Sequence, residues 1–146
     1  MSYNIDSKNI RNNILKFLLI SIIILSMDIL WLNIYLGKYF GDMVKEIQGE
    51  EMNLKYLQAA ISYLFICISH YYFIISNITD KDNKKLYLDS FLLGLFIYGI
   101  FEFTSGAIFK NWKILPLFVD TIWGGILYLL SYIIYKPIHK EFFSNN

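Results

Sequence analysis

The chain has 146 residues, 56% apolar, 18% aromatic and 17% charged, with a formal net charge of +1. A soluble domain averages about 45–50% apolar with about a quarter of its residues charged, and a soluble core this small would not hide so much apolar surface. The charge balance gives no reason to expect a nucleic-acid partner, and the single cysteine, Cys67, excludes an intramolecular disulfide and any cysteine-based metal cluster.

Residues 1–13 are polar and read as a tail. The first apolar run spans about 14–36. Its early part resembles a signal-peptide core, but no small-residue cleavage site follows, and the run continues past Asp28 to membrane length. It is expected to be an uncleaved transmembrane helix. Between 37 and 56, Tyr39, Phe40, Met43, Val44 and Ile47 recur at helical spacing, with Lys38, Asp42, Lys45 and Glu46 between them. That pattern suits a short interfacial helix or a helical extension of the first span.

Further apolar runs follow at about 57–78, 88–109 and 114–135. Each has the roughly 20 residues needed to cross about 30 Å of hydrocarbon. A charge cluster, Asp80 to Lys85, separates the second and third, and a short basic turn, Lys110 to Lys113, separates the third and fourth. Pro116 falls in a first helical turn, where its missing N–H is harmless, and Pro137 is expected to mark the end of the last helix. No internal repeat, linker or low-complexity segment is read. The expected fold is therefore all-α: a single membrane domain of four transmembrane helices.

Orientation follows from the basic residues. Eight (Lys8, Arg11, Lys16, Lys81, Lys84, Lys85, Lys136 and Lys140) fall on the side of the termini and five (Lys38, Lys45, Lys55, Lys110 and Lys113) on the other. The excess puts both termini in the cytoplasm.

Ordered fragments also carry a family likeness. They are Asp28-Ile-Leu-Trp31-Leu32, Gly94-x-x-x-Tyr98-Gly99, Glu102-x-Thr104 with Ala107 and Trp112, and Asp120-x-x-Trp123-Gly124. Taken in this order, the chain resembles the predicted four-helix membrane proteins catalogued as domain of unknown function 2177. The resemblance implies a four-helix fold and a membrane address. It implies no assigned reaction, and only a loose association of bacterial relatives with lipid-modifying gene neighbourhoods. Some relatives carry Asp at Glu102 and Asn at Ser105, changes that keep a polar site.

Three carboxylates lie inside the apolar runs: Asp28, Glu102 and Asp120. An intramembrane acid is costly and marks a functional site by default. At a helical rise of about 1.5 Å per residue, they lie about 12, 10 and 9 Å below the ends of their spans, in one layer. No Lys or Arg lies at that depth, so some must be protonated, share a proton or hold a cation. Spacing puts Gly94, Tyr98, Glu102 and Ser105 on one helix face, and Asp120, Gly124, Leu127 and Ser131 on another.

The candidate polar cavity thus comprises Asp28, Glu102 and Asp120, with Tyr98, Thr104, Ser105, Thr121 and Trp123 as neighbours. Trp31 and Trp112 fit an interfacial aromatic belt, and His70 reads as a hydrogen-bonded bundle residue. No hydrolase, phosphate-binding or dinucleotide motif is present. No metal site is expected, and no cofactor is named by these residues. Three functions compete: a cavity that binds or acts on a small or lipid-like molecule from the surrounding membrane lipid, a proton- or cation-coupled carrier, and a structural bundle with protonated acids as interhelical glue. With only four helices, the carrier would need to work as a homo-oligomer.

Overall fold

A computed structural model describes residues 7–78 and 84–143. Helix α1 spans Ser7–Trp31, α2 Gly37–Gln48, α3 Tyr56–Phe73, α4 Lys84–Ile108 and α5 Ile114–Phe143. Among the described residues, four segments are long and apolar enough to span a membrane: Asn9–Ile34, Tyr56–Asn77, Lys84–Ile108 and Ile114–Phe143. The protein is an all-α membrane bundle. Part of the charge cluster after α3 lies outside the described residues, and Lys84 and Lys85 open α4.

Helix α5 is the central element. It packs along α4 and against α1, and α1 in turn packs on α3. The polarity is inverted relative to a soluble domain. Phe96, Ile100, Phe118 and Ile122 face outward, while Asp28, His70, Ser90, Glu102, Asp120 and Ser131 are buried. In lipid, an apolar surface costs nothing, whereas polar groups must find partners inside the bundle.

The α4–α5 seam is close because of two glycines. A Cβ at Gly94 would overlap the Gly124 carbonyl and the Tyr128 ring, and one at Gly124 would run into the Tyr98 ring. Both helices carry Gly-x-x-x-Tyr, 94–98 and 124–128. They run antiparallel, so each glycine receives the other helix's tyrosine. The same register sets Glu102 level with Asp120.

The amphipathic stretch after the first span is helical and continues α1. The two are joined by a π-helical turn, Leu32–Leu36, closed by the Gly37 N–H on the Leu32 carbonyl. A Cβ at Gly37 would lie 2.5 Å from that carbonyl oxygen, so glycine permits the wider turn. Helix α2 stops at Gly49, whose φ of 78° is left-handed. Its apolar face covers the α4–α5 turn. Met43 is fully buried, its sulfur accepts the Lys113 N–H at 3.4 Å, and the Phe40 ring packs edge-on to Trp112. Lys113 pairs with Glu46 at 3.0 Å, and that hydrogen bond raises the Lys113 ammonium above its ordinary range.

Pro116 lies in the first turn of α5 as expected, but Pro137 does not end it. The helix continues to Phe143. Proline removes one intrahelical hydrogen bond, and packing beyond it keeps the helix going. His139 is buried and stacks between Tyr135 and Phe143, with Lys16 of α1 over the Phe143 ring.

Candidate functional site

Asp28, Glu102 and Asp120 are 4%, 0% and 6% exposed. Each accepts a hydrogen bond from one of the chain's three indoles. Trp123 Nε1 donates to Asp28 Oδ1 at 2.9 Å. Trp31 Nε1 donates to Asp120 Oδ1 at 3.3 Å. Trp112 Nε1 donates to Glu102 Oε2 at 3.0 Å. Tyr63, on α3, adds a bond to Asp28 Oδ2 at 2.9 Å.

The first two bonds form a crossed clasp. Helices α1 and α5 each carry Asp-x-x-Trp, 28–31 and 120–123. Antiparallel packing sets the aspartate of one level with the tryptophan of the other, so the partners exchange. Between them, the Trp31 and Trp123 rings stack with centroids 4.3 Å apart and planes 9° from parallel. The clasp replaces the missing basic residue with neutral donors. An indole N–H only donates, so it suits an ionised carboxylate and also the carbonyl oxygen of a protonated one.

Glu102 is placed differently. Its donor, Trp112, sits in the α4–α5 turn, under the α2 face that carries Phe40. Its second oxygen, Oε1, is buried without a hydrogen-bond partner. One turn earlier, the Tyr98 hydroxyl is also buried, on the side of Asp28 and Asp120. Ser105, one turn beyond Glu102, is buried on the same face.

The bundle thus brings Asp28, Glu102, Asp120, Tyr98 and Trp123 into one layer, with Ser105 beside it. Thr104 and Thr121 fall elsewhere. Both line a lipid-facing groove of about 620 Å³ along the α4–α5 seam, with Gly99, Phe96, Ile100 and Phe103. The Thr121 hydroxyl donates to the Leu117 carbonyl at 2.6 Å. Among the described residues, no group of three acids, histidines or cysteines is placed to hold a metal ion.

Sequence reasoning assigned Trp31 and Trp112 to an aromatic belt and did not single out Tyr63. The recurrence of Asp-x-x-Trp on two helices was the signal for the clasp.

No curated protein and no solved structure matches the chain. A family model described as a predicted membrane protein matches residues 13–135, and the chain belongs to that family, DUF2177.

Proposed function

We propose that the protein binds the hydrogen-bonding head of a small or lipid-like molecule at Glu102. One observation carries this reading. Glu102 Oε1 is buried without a partner, one turn along the same face of α4 from the buried Tyr98 hydroxyl. Leaving such a group unsatisfied costs about 1–3 kcal/mol, and lipid offers no water in compensation. A ligand that donates to Glu102 and accepts from Tyr98 satisfies both. Asp28 already has both carboxyl oxygens bonded, to Trp123 and Tyr63, and Glu102 keeps one buried oxygen free for a ligand. The groove along the same seam offers room for an apolar tail, since ligand sites usually enclose about 300–1,000 Å³.

Native mass spectrometry of detergent-extracted protein tests the reading. The wild type should retain a co-purified small molecule that Glu102→Gln and Tyr98→Phe lose. Tyr63→Phe, which alters only the Asp28 contact, should keep it. Wild type without any adduct, or Glu102→Gln with an undiminished one, would refute the proposal. We further propose that both termini are cytoplasmic, supported by the eight-to-five excess of basic residues on that side.

A further inference from the structure

The end of the bundle far from the acid layer carries a second groove, between the start of α1 and the end of α5. Arg11, Asn12, Leu15 and Leu19 form one wall and Ile138 and Phe142 the other, around a space of about 400 Å³. Leu15 and Phe142 are exposed, so the groove opens sideways towards lipid. The α5 wall exists because that helix runs on through Pro137, with Ile138 and Phe142 both beyond the proline.

Depth follows from the helical rise. The first span begins at Asn9 and the last ends at Phe143, which places Arg11 at the membrane surface. From Arg11 to Leu19 the groove descends about 12 Å into the hydrocarbon at about 1.5 Å per residue. Asp28 is a further stretch away, about 26 Å along α1 from Arg11.

The mouth is positive. The ion pairs among the described residues join Lys45, Lys85 and Lys113 to acids, so the exposed Arg11 guanidinium has no carboxylate of its own. Lys16 holds a second positive charge 5.5 Å from the centroid of the Phe143 ring, and that ring also lines the groove. Glu141 precedes Phe142 in the chain but is not part of the wall. The larger groove on the α4–α5 seam has no charged side chain in its wall.

We propose that the α1–α5 groove binds one anionic phospholipid, its phosphate on Arg11 and Asn12 and one acyl chain along Leu15, Leu19, Ile138 and Phe142. The guanidinium fork matches a phosphate group, and the Asn12 amide adds a donor beside it. An arginine stem lies along apolar surface while its head stays at the interface, which is where a lipid phosphate sits. Basic pockets between transmembrane helices are recurrent sites for anionic head groups, and the volume is within the range of about 300–1,000 Å³ usual for ligand sites. A zwitterionic lipid fits the wall but brings its own cation to a mouth that already holds two. A free phosphate fits the mouth and leaves the apolar wall unused. The site lies at the opposite end from Glu102 and does not depend on a ligand there.

The test is native mass spectrometry of the full chain in detergent, titrated with dioleoylphosphatidylglycerol or dioleoylphosphatidylcholine. The adducts counted have the mass of the added lipid, so a molecule held at Glu102 does not enter the count. Wild type should bind the phosphatidylglycerol about fivefold more tightly, the effect of about one basic residue at an anionic surface. Arg11→Gln should remove that preference and leave phosphatidylcholine binding unchanged. Lys140→Gln makes the same charge change at an exposed position outside the groove and should keep the preference. Inorganic phosphate at the concentration of the lipid should displace none of it. Equal affinities in wild type, or an undiminished preference in Arg11→Gln, would overturn the proposal. An equal loss in Lys140→Gln would do so by reducing the effect to diffuse charge, and displacement by phosphate by reducing the site to its mouth.

Discussion

The crossed clasp makes a quantitative prediction about Trp31. Replacing it by Phe keeps a ring for the stack on Trp123 and deletes the N–H held by Asp120. Interhelical hydrogen bonds in membranes are worth about 0.6–2 kcal/mol, and ring stacking about 0.5–1.5 kcal/mol. Trp31→Phe should therefore cost about 0.6–2 kcal/mol, and Trp31→Ala more, because the stack goes as well. The informative measurement is a double-mutant cycle, in which cavity costs common to both branches cancel. Trp31→Phe combined with Asp120→Ala should show a coupling of about 0.6–2 kcal/mol. Trp31→Phe combined with Asp28→Ala, its own-helix neighbour, should show less, because Asp28 bonds Trp123 and Tyr63 instead. The assay is reversible unfolding in mixed micelles followed by circular dichroism. Coupling within one helix that equals or exceeds the coupling across helices would refute the clasp.

Three further outcomes are expected. Gly94→Ala should destabilise by about 1–3 kcal/mol, the usual cost of overpacking, because the obstacle is the Gly124 backbone. Gly41→Ala, with nothing within 4 Å, should be neutral or gain up to about 1 kcal/mol, and the same unfolding assay separates the two. For orientation, Cys67→Ser followed by single cysteines at Ser2, Gln48 and Asn83 should give labelling from outside only at position 48; labelling at 2 or 83 would reverse the topology.

The spans were legible because apolar length alone sets them, and the acids because charge is rare where lipid is the solvent. Their partners were less legible for a physical reason. A tryptophan near a span end satisfies an interfacial belt and a buried carboxylate equally well when only its own helix is considered. Choosing between them needs the register of the opposite helix, which no single segment carries. Trp31, Trp112 and Tyr63 were missed on that account. Thr104 and Thr121 were grouped with the acids by proximity in sequence, but the side chains of successive helical residues leave the axis about 100° apart, enough to turn a neighbour out to lipid. Pro137 reads as a stop signal on local grounds, and contacts with Phe143 and Lys16 on the far side outweigh it. The exchange of glycine and tyrosine between α4 and α5 was also visible in the residues, as Gly-x-x-x-Tyr twice over, but only to a reader pairing the helices antiparallel.

Because α5 supplies Trp123 to one helix and seats Tyr98 of another, the order of synthesis matters. The ribosome releases α1 first and α5 last, so Asp28 enters the bilayer long before Trp123 exists. Tyr63 of α3 is the earlier arrival, and its hydroxyl gives Asp28 a provisional partner during that interval. Glu102 waits only for the next turn of chain, which brings Trp112. Asp120 never waits at all, since Trp31 is already in the membrane when it is made. The interval between the insertion of α1 and that of α3 is therefore the one in which Asp28 has neither of its folded-state partners.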